Sequence, residues 1–108
     1  MTEEKGFHIL VALAAKPLHG YAIRQEVEAR TEGQVRLWPT TLYGLLSELA
    51  SGGLIEETDF EAGPDDDPRR RYYVLTAKGR RFLAAEAARM EGLARLARAN
   101  LGLGKARA

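Results

Sequence analysis

Leu54-Ile55-Glu56-Glu57-Thr58 and Arg69-Arg70-Arg71-Tyr72-Tyr73-Val74-Leu75-Thr76 follow a helix that opens Pro39-Thr40-Thr41-Leu42-Tyr43. Leu54 to Phe60 predicts a strand, and Arg69 to Leu75, rich in residues that favour strands, predicts its return. Glu61 to Pro68, with Gly63-Pro64 and Asp65-Asp66-Asp67, predicts the loop between them. The result is a two-stranded β-ribbon with three arginines and two tyrosines on its return. A cationic ribbon behind a hydroxyl-bearing helix start suits a phosphate backbone.

Upstream, the pattern is helical. Phe7, Leu10, Val11 and Ala14 share one side of a helix over about Glu3 to Ala15. Lys16-Pro17-Leu18-His19-Gly20 interrupts it, since proline restricts the residue before it and glycine ends periodicity. A second helix spans Gly20 to Arg30, with Ile23 and Val27 inward, and Thr31-Glu32-Gly33 turns the chain. The third starts near Pro39, a residue well placed in a first turn. It buries Leu42, Leu45, Leu46 and Leu49 and stops at Ser51-Gly52-Gly53. After the ribbon, Thr76 can cap a last helix that runs to about Asn100, before Gly102 and Gly104 break the period. Three helices, a ribbon and a long helix predict a mainly α fold with a small β-ribbon. The expected architecture is a winged helix-turn-helix over residues 1–75, followed by a C-terminal dimerisation helix and frayed tail over 76–108.

Composition narrows the function. With 108 residues the chain holds one small domain, or a domain with an appended helix. It has no cysteine, which excludes disulfides, thiolate metal sites and cysteine nucleophiles. The best apolar stretch, Phe7 to Ala15, is about half of the ~20 residues that cross a bilayer. No basic start with a long apolar stretch marks a signal peptide, so a cytoplasmic location without membrane contact is expected. His8 and His19 stand apart from any zinc-like ligand set, and the contiguous Asp65 to Asp67 does not match a calcium loop. No metal or cofactor is expected. No nucleophile–base pair, carboxylate cleft or phosphate loop is present, which argues against an enzyme.

Net charge is +1, but its distribution is uneven. Residues 54–75 hold three basic and seven acidic side chains, and residues 76–108 hold eight basic and two acidic. Nucleic-acid binding would therefore rest on local clusters, doubled by dimerisation, and not on a uniformly basic surface. With its leucines buried, the third helix turns Thr40, Thr41, Gly44, Ser47 and Glu48 outward, with Tyr43 on the flank. Threonines near a helix start can meet phosphates, base edges or a thymine methyl. Arg69, Arg70 and Arg71 alternate faces, so two point the same way. They can pair with phosphates, or answer Glu56, Glu57 and Asp59 across the ribbon. Tyr72 and Tyr73 also alternate, one to pack under the wing and one to offer its hydroxyl outward. Tyr21 starts a helix whose amides favour phosphate, with Lys16 close by; it can equally pack as a hydrophobic staple. In the last helix Leu83, Ala87, Met90, Ala94, Ala97 and Leu101 step by four and three, the seam of helix-on-helix packing, widened by Leu93 and Leu96. Part of that stripe must cover the first helix; beyond Met90 the surplus points to a second chain.

Four stretches resemble the PadR family of bacterial transcriptional regulators. They are Leu18-His19-Gly20-Tyr21-Ala22-Ile23, Thr41-Leu42-Tyr43-Gly44-Leu45-Leu46, Gly53-Leu54-Ile55-Glu56, and Arg69 to Gly79 with its Leu75-Thr76-Ala77-Lys78-Gly79 end. The resemblance covers roughly residues 6–82. It implies a homodimeric, non-catalytic repressor that binds double-stranded DNA; two copies of the third helix would then meet successive major grooves of a pseudo-palindromic operator. By that resemblance the third helix enters the major groove and the wing rests on the backbone or minor groove. The last helix pairs the two chains, and Tyr21 touches the backbone. Together with the residue chemistry above, the candidate DNA contacts are Lys16, Tyr21, Thr40, Thr41, Tyr43, Arg69, Arg70 and Arg71. Two departures stand out. Trp38 replaces a small capping serine and cannot cap in the usual way. The acidic Asp65 to Asp67 would be repelled by phosphate. Some members sense small molecules, a flat one between tail-helix tryptophans, but here the tail helix has only Phe82 as an aromatic. A ligand-sensing module, or a protein-interaction module that has lost DNA, are the alternative readings.

Overall fold

The structure is a computed structural model in which residues 4–58 and 71–103 are described. The elements run α1 (Glu4–Ala15), β1 (Leu18–His19), α2 (Gly20–Arg30), α3 (Pro39–Ser51), β2 (Ile55–Thr58), β3 (Tyr72–Leu75) and α4 (Ala77–Asn100). Leu42, Leu45, Leu46 and Leu49 of α3 are all buried, as their spacing requires. Each such side chain contributes roughly 1.5–3 kcal/mol on leaving water. That sum decides which side of α3 faces out. Ile23 and Val27 of α2 close the core from the neighbouring helix, and Ile55, Tyr73 and Leu75 close it from the sheet.

Two expectations change here. The sheet has three strands, not two, in the order β1-β3-β2, with both neighbours antiparallel to β3. The added strand is only Leu18–His19, set against Tyr73 and Tyr72. Two residues show no alternation, and Pro17 read as an interruption. The buried side of α1 also differs. Ile9, Leu10 and Leu13 are the fully enclosed residues, while Phe7, Val11 and Ala14 are only half-buried. The helix contacts α2, α3, β3 and α4, so it is covered around most of its circumference and a one-sided stripe understates it.

The turn into α4 is locked against the end of α3. The Thr76 hydroxyl donates to the Gly53 carbonyl at 2.6 Å and accepts from the Gly79 amide at 2.9 Å, which makes it the expected N-cap. The Thr76 amide donates to the Leu54 carbonyl at 3.0 Å. The Lys78 ammonium donates to the Gly52 carbonyl at 2.9 Å. Gly79 is the one buried residue that α4 has. It lies so close to the Leu54 carbonyl that no Cβ fits between them. Beyond this joint α4 projects. A helix of 24 residues is about 36 Å long, and the molecule measures 53 × 29 × 25 Å.

Candidate nucleic-acid interface

The outward face of α3 carries Thr40, Tyr43, Gly44, Ser47 and Glu48, all exposed, with Thr41 half-buried beside them. Tyr43 leans toward the start of α2: a Cβ added at Gly20 would come 2.8 Å from its hydroxyl oxygen. The Leu-His-Gly-Tyr and Thr-Leu-Tyr stretches thus meet in space. Tyr21 (53% exposed), Trp38 (54%) and Tyr43 (55%) all stand out around the first turns of α2 and α3. Tyr21 does not act as a buried staple. Lys16, also exposed, precedes the same turn.

His19, isolated in the sequence, has a structural task. Its Nδ1 accepts from the Ala22 amide at 3.1 Å, capping α2. Its ring meets Tyr72 edge-on at 5.2 Å. Trp38 is the residue before α3 and makes no side-chain cap, as its chemistry dictates. Instead two guanidiniums lie over its indole, Arg24 at 5.5 Å and Arg36 at 6.0 Å from the ring centre. Glu28 braces this corner. One of its oxygens accepts from Arg24 at 3.1 Å and from the Leu37 amide at 3.3 Å. The bond from Arg24 holds the Glu28 carboxyl below the usual carboxylate range, so it is ionised at neutral pH.

On the wing, Arg71 donates to both oxygens of Glu57, at 3.0 and 3.2 Å. The expected cross-ribbon pairing therefore exists for this arginine. Both side chains are largely exposed, 71% and 53%, so the pair adds little to stability and can be exchanged. Arg69, Arg70 and Asp65 to Asp67 lie outside the described residues. Both Tyr72 and Tyr73 are largely buried, not one alone. β3 is the central strand, so Tyr73 enters the helical core while Tyr72, on the other face, is met by His19. An open groove of about 270 Å³ separates α3 from the wing, lined by Tyr43, Ser47, Ser51, Glu57 and Tyr73 among others.

The α4 stripe divides as its length demands. Leu83 packs on the core of its own chain, and Ala87 is half-buried. Met90, Ala94, Ala97 and Leu101 are exposed, together with Leu93 (59%) and Leu96 (57%). Sequence reasoning missed the Arg24–Trp38–Arg36 corner. The available signal was Arg24 one turn before Glu28, and a tryptophan before a proline next to a second arginine. Among the described residues, no helix is long and apolar enough to cross a membrane.

Comparison with known proteins agrees with this geometry. Residues 9–85 match the sequence profile of the transcriptional regulator PadR-like family. An uncharacterized 37.1 kDa protein in transposon TN4556 of Streptomyces fradiae is 39% identical over 92 residues, which is 85% of this chain. The chain spans about a quarter (24%) of that relative's length. A PadR-like transcription factor from Bacteroides fragilis superposes with a TM-score of 0.70 at 27% identity, covering 86% of this chain and 85% of the other. Bacillus subtilis PadR in complex with operator DNA shares the fold, with a TM-score of 0.65 at 21% identity over 79% of this chain and 47% of that one. The three-helix core, the wing joint and the profile match over 9–85 together place this chain in the PadR-like family of transcriptional regulators, which are not enzymes.

Proposed function

We propose that the chain is a repressor that binds a pseudo-palindromic DNA operator as a homodimer. Residues 1–75 would serve as the DNA-binding unit and 76–108 as the dimerisation unit, at work in the cytoplasm. The observation that carries the reading is the outward face of α3, where Thr40, Tyr43, Gly44 and Ser47 stand free of the core beside Tyr21. In this reading Thr40 and Thr41 meet base edges or phosphates, and Lys16, Tyr21 and Tyr43 hold the backbone. Arg69, Arg70 and Arg71 grip the flanking backbone or minor groove. Met90, Ala94, Ala97 and Leu101, with Leu93 and Leu96, form the seam between chains, while Leu83 and Ala87 carry it into each core. The complex of Bacillus subtilis PadR with operator DNA supports the assignment by fold.

Arg71 provides the test. Its carboxylate partner Glu57 competes with phosphate for the same guanidinium. A duplex is first selected from a random-sequence pool, then titrated in gel shifts over a range of salt. Wild-type binding should weaken steeply with salt. Arg71→Ala should flatten the log–log salt slope by about 0.9, the value of one phosphate contact, whereas Glu57→Gln should tighten binding. Failure of the pool to yield any retained duplex at low salt would sink the DNA reading.

A further inference from the structure

Trp38 is placed with unusual care for an exposed side chain. Its backbone is extended, as the following Pro39 demands, and it stands directly before the first turn of α3. A single exposed aromatic is ordinary on a protein surface and carries no argument alone. Here, however, Arg24 and Arg36 converge on one ring, at 5.5 and 6.0 Å, from α2 and from the turn that leads to α3. Two like charges gathered at one spot repel each other. Glu28 carries a single negative charge for both: it bonds Arg24 and the Leu37 amide through one oxygen and acts on Arg36 only through space. Among the described residues Arg36 has no ion-pair partner. The corner therefore holds a positive excess beside a flat apolar surface and an indole N–H that can donate but not accept.

We propose that Trp38 and Arg36, with Arg24 behind them, form a clamp for the sugar–phosphate backbone of duplex DNA at the N-terminal edge of the reading helix. The proposal rests on the DNA-binding reading above and adds a contact to it. A phosphodiester supplies the one negative charge the two guanidiniums lack, and its oxygens accept from the Arg36 fork and the indole N–H. The adjoining deoxyribose packs on the part of the indole that the two guanidiniums leave exposed. The duplex is the occupant because Trp38 directly precedes the helix start that carries exposed Thr40, and Arg24 lies one turn beyond exposed Tyr21 on α2. A phosphate held here sits beside the groove that α3 enters, so the clamp positions α3 without reading a base.

Trp38 is the sole tryptophan of the chain, so it reports on itself. Acrylamide quenching of its fluorescence is measured in the free protein and after saturation with a duplex selected from a random-sequence pool. In parallel, Arg36→Ala is titrated with that duplex and with a scrambled duplex of equal length. Quenching should drop severalfold in the complex. Arg36→Ala should weaken both duplexes by the same factor and lower the salt slope by about 0.9. If a duplex is retained in gel shifts while Trp38 stays as quenchable as in the free protein, the clamp is wrong and the DNA reading survives. If Arg36→Ala weakens only the selected duplex, the contact is to bases and the clamp is again wrong. If the wild-type protein retains no duplex, the DNA reading fails and the clamp falls with it.

Discussion

Replacing Leu93 and Leu96 with aspartate is expected to leave a folded core, a monomeric chain and operator affinity lower by about a hundredfold to ten-thousandfold, the avidity normally gained by linking two sites. The reasoning starts from the length of α4. Its buried residue is Gly79, at the joint, and its contacts with the core end near Leu83 and Ala87. Leu93 and Leu96 expose more than half their surface in the single chain. A short helix segment without tertiary support is marginal in water, and in the proposed dimer the partner's helix covers this apolar stripe. Burial of each leucine is worth roughly 1.5–3 kcal/mol, and a symmetric seam counts every residue twice. Aspartate removes that gain and brings two carboxylates together across the seam. The core of α1, α2, α3 and the sheet does not use these positions, so circular dichroism should report a native fold with fraying confined to the far end of α4. Sedimentation gives the mass. A double variant that still sediments as a dimer would move the seam elsewhere.

Of the glycines Gly20, Gly44, Gly52 and Gly79, Gly79 should tolerate alanine least: Gly79→Ala should destabilise the chain by about 3 kcal/mol, the upper range for forcing extra volume into a packed site. A methyl group there would meet the Leu54 carbonyl carbon and oxygen and a Leu75 methyl. The carbonyl cannot swing away freely, because it accepts from the Thr76 amide at 3.0 Å. Relief would have to break that bond or tilt α4 off the end of α3. The melting temperature should fall by more than ten degrees, at about 4–8 °C per kcal/mol for a domain of this size. Protein concentration must be held fixed, since association raises apparent stability. Gly44→Ala is the matched control. Nothing lies within 4 Å of a Cβ there, and alanine in an exposed helix interior gains up to about 1 kcal/mol over glycine. Equal melting temperatures for the two variants would show that the α3–α4 joint is not the tight point described here.

The helical part of this fold was legible because burial and periodicity coincide. The four leucines of α3 and the pair Ile23 and Val27 each face the core as their spacing predicts. The Thr76 cap and the end of α4 at Asn100 follow from local chemistry that tertiary packing does not override. What escaped was whatever depends on a distant partner. Two residues, Leu18 and His19, become a strand only because β3 passes beside them. Tyr72 and Tyr73 are both covered because β3 lies in the middle of three strands, which alternation within one strand cannot reveal. For α1, contacts with several elements blur the single stripe its sequence suggests. The corner around Trp38 needs Arg24 and Arg36 brought together from 12 positions apart in the sequence, and no local pattern encodes that meeting.

Footprinting of the wild-type protein on its selected duplex, with hydroxyl radicals cutting the backbone, is the most direct check on the paired arrangement of α3. Two symmetric protected blocks should lie with their centres about 10 base pairs, or a multiple of that, apart. A single block, or uniform protection without a dyad, would contradict it.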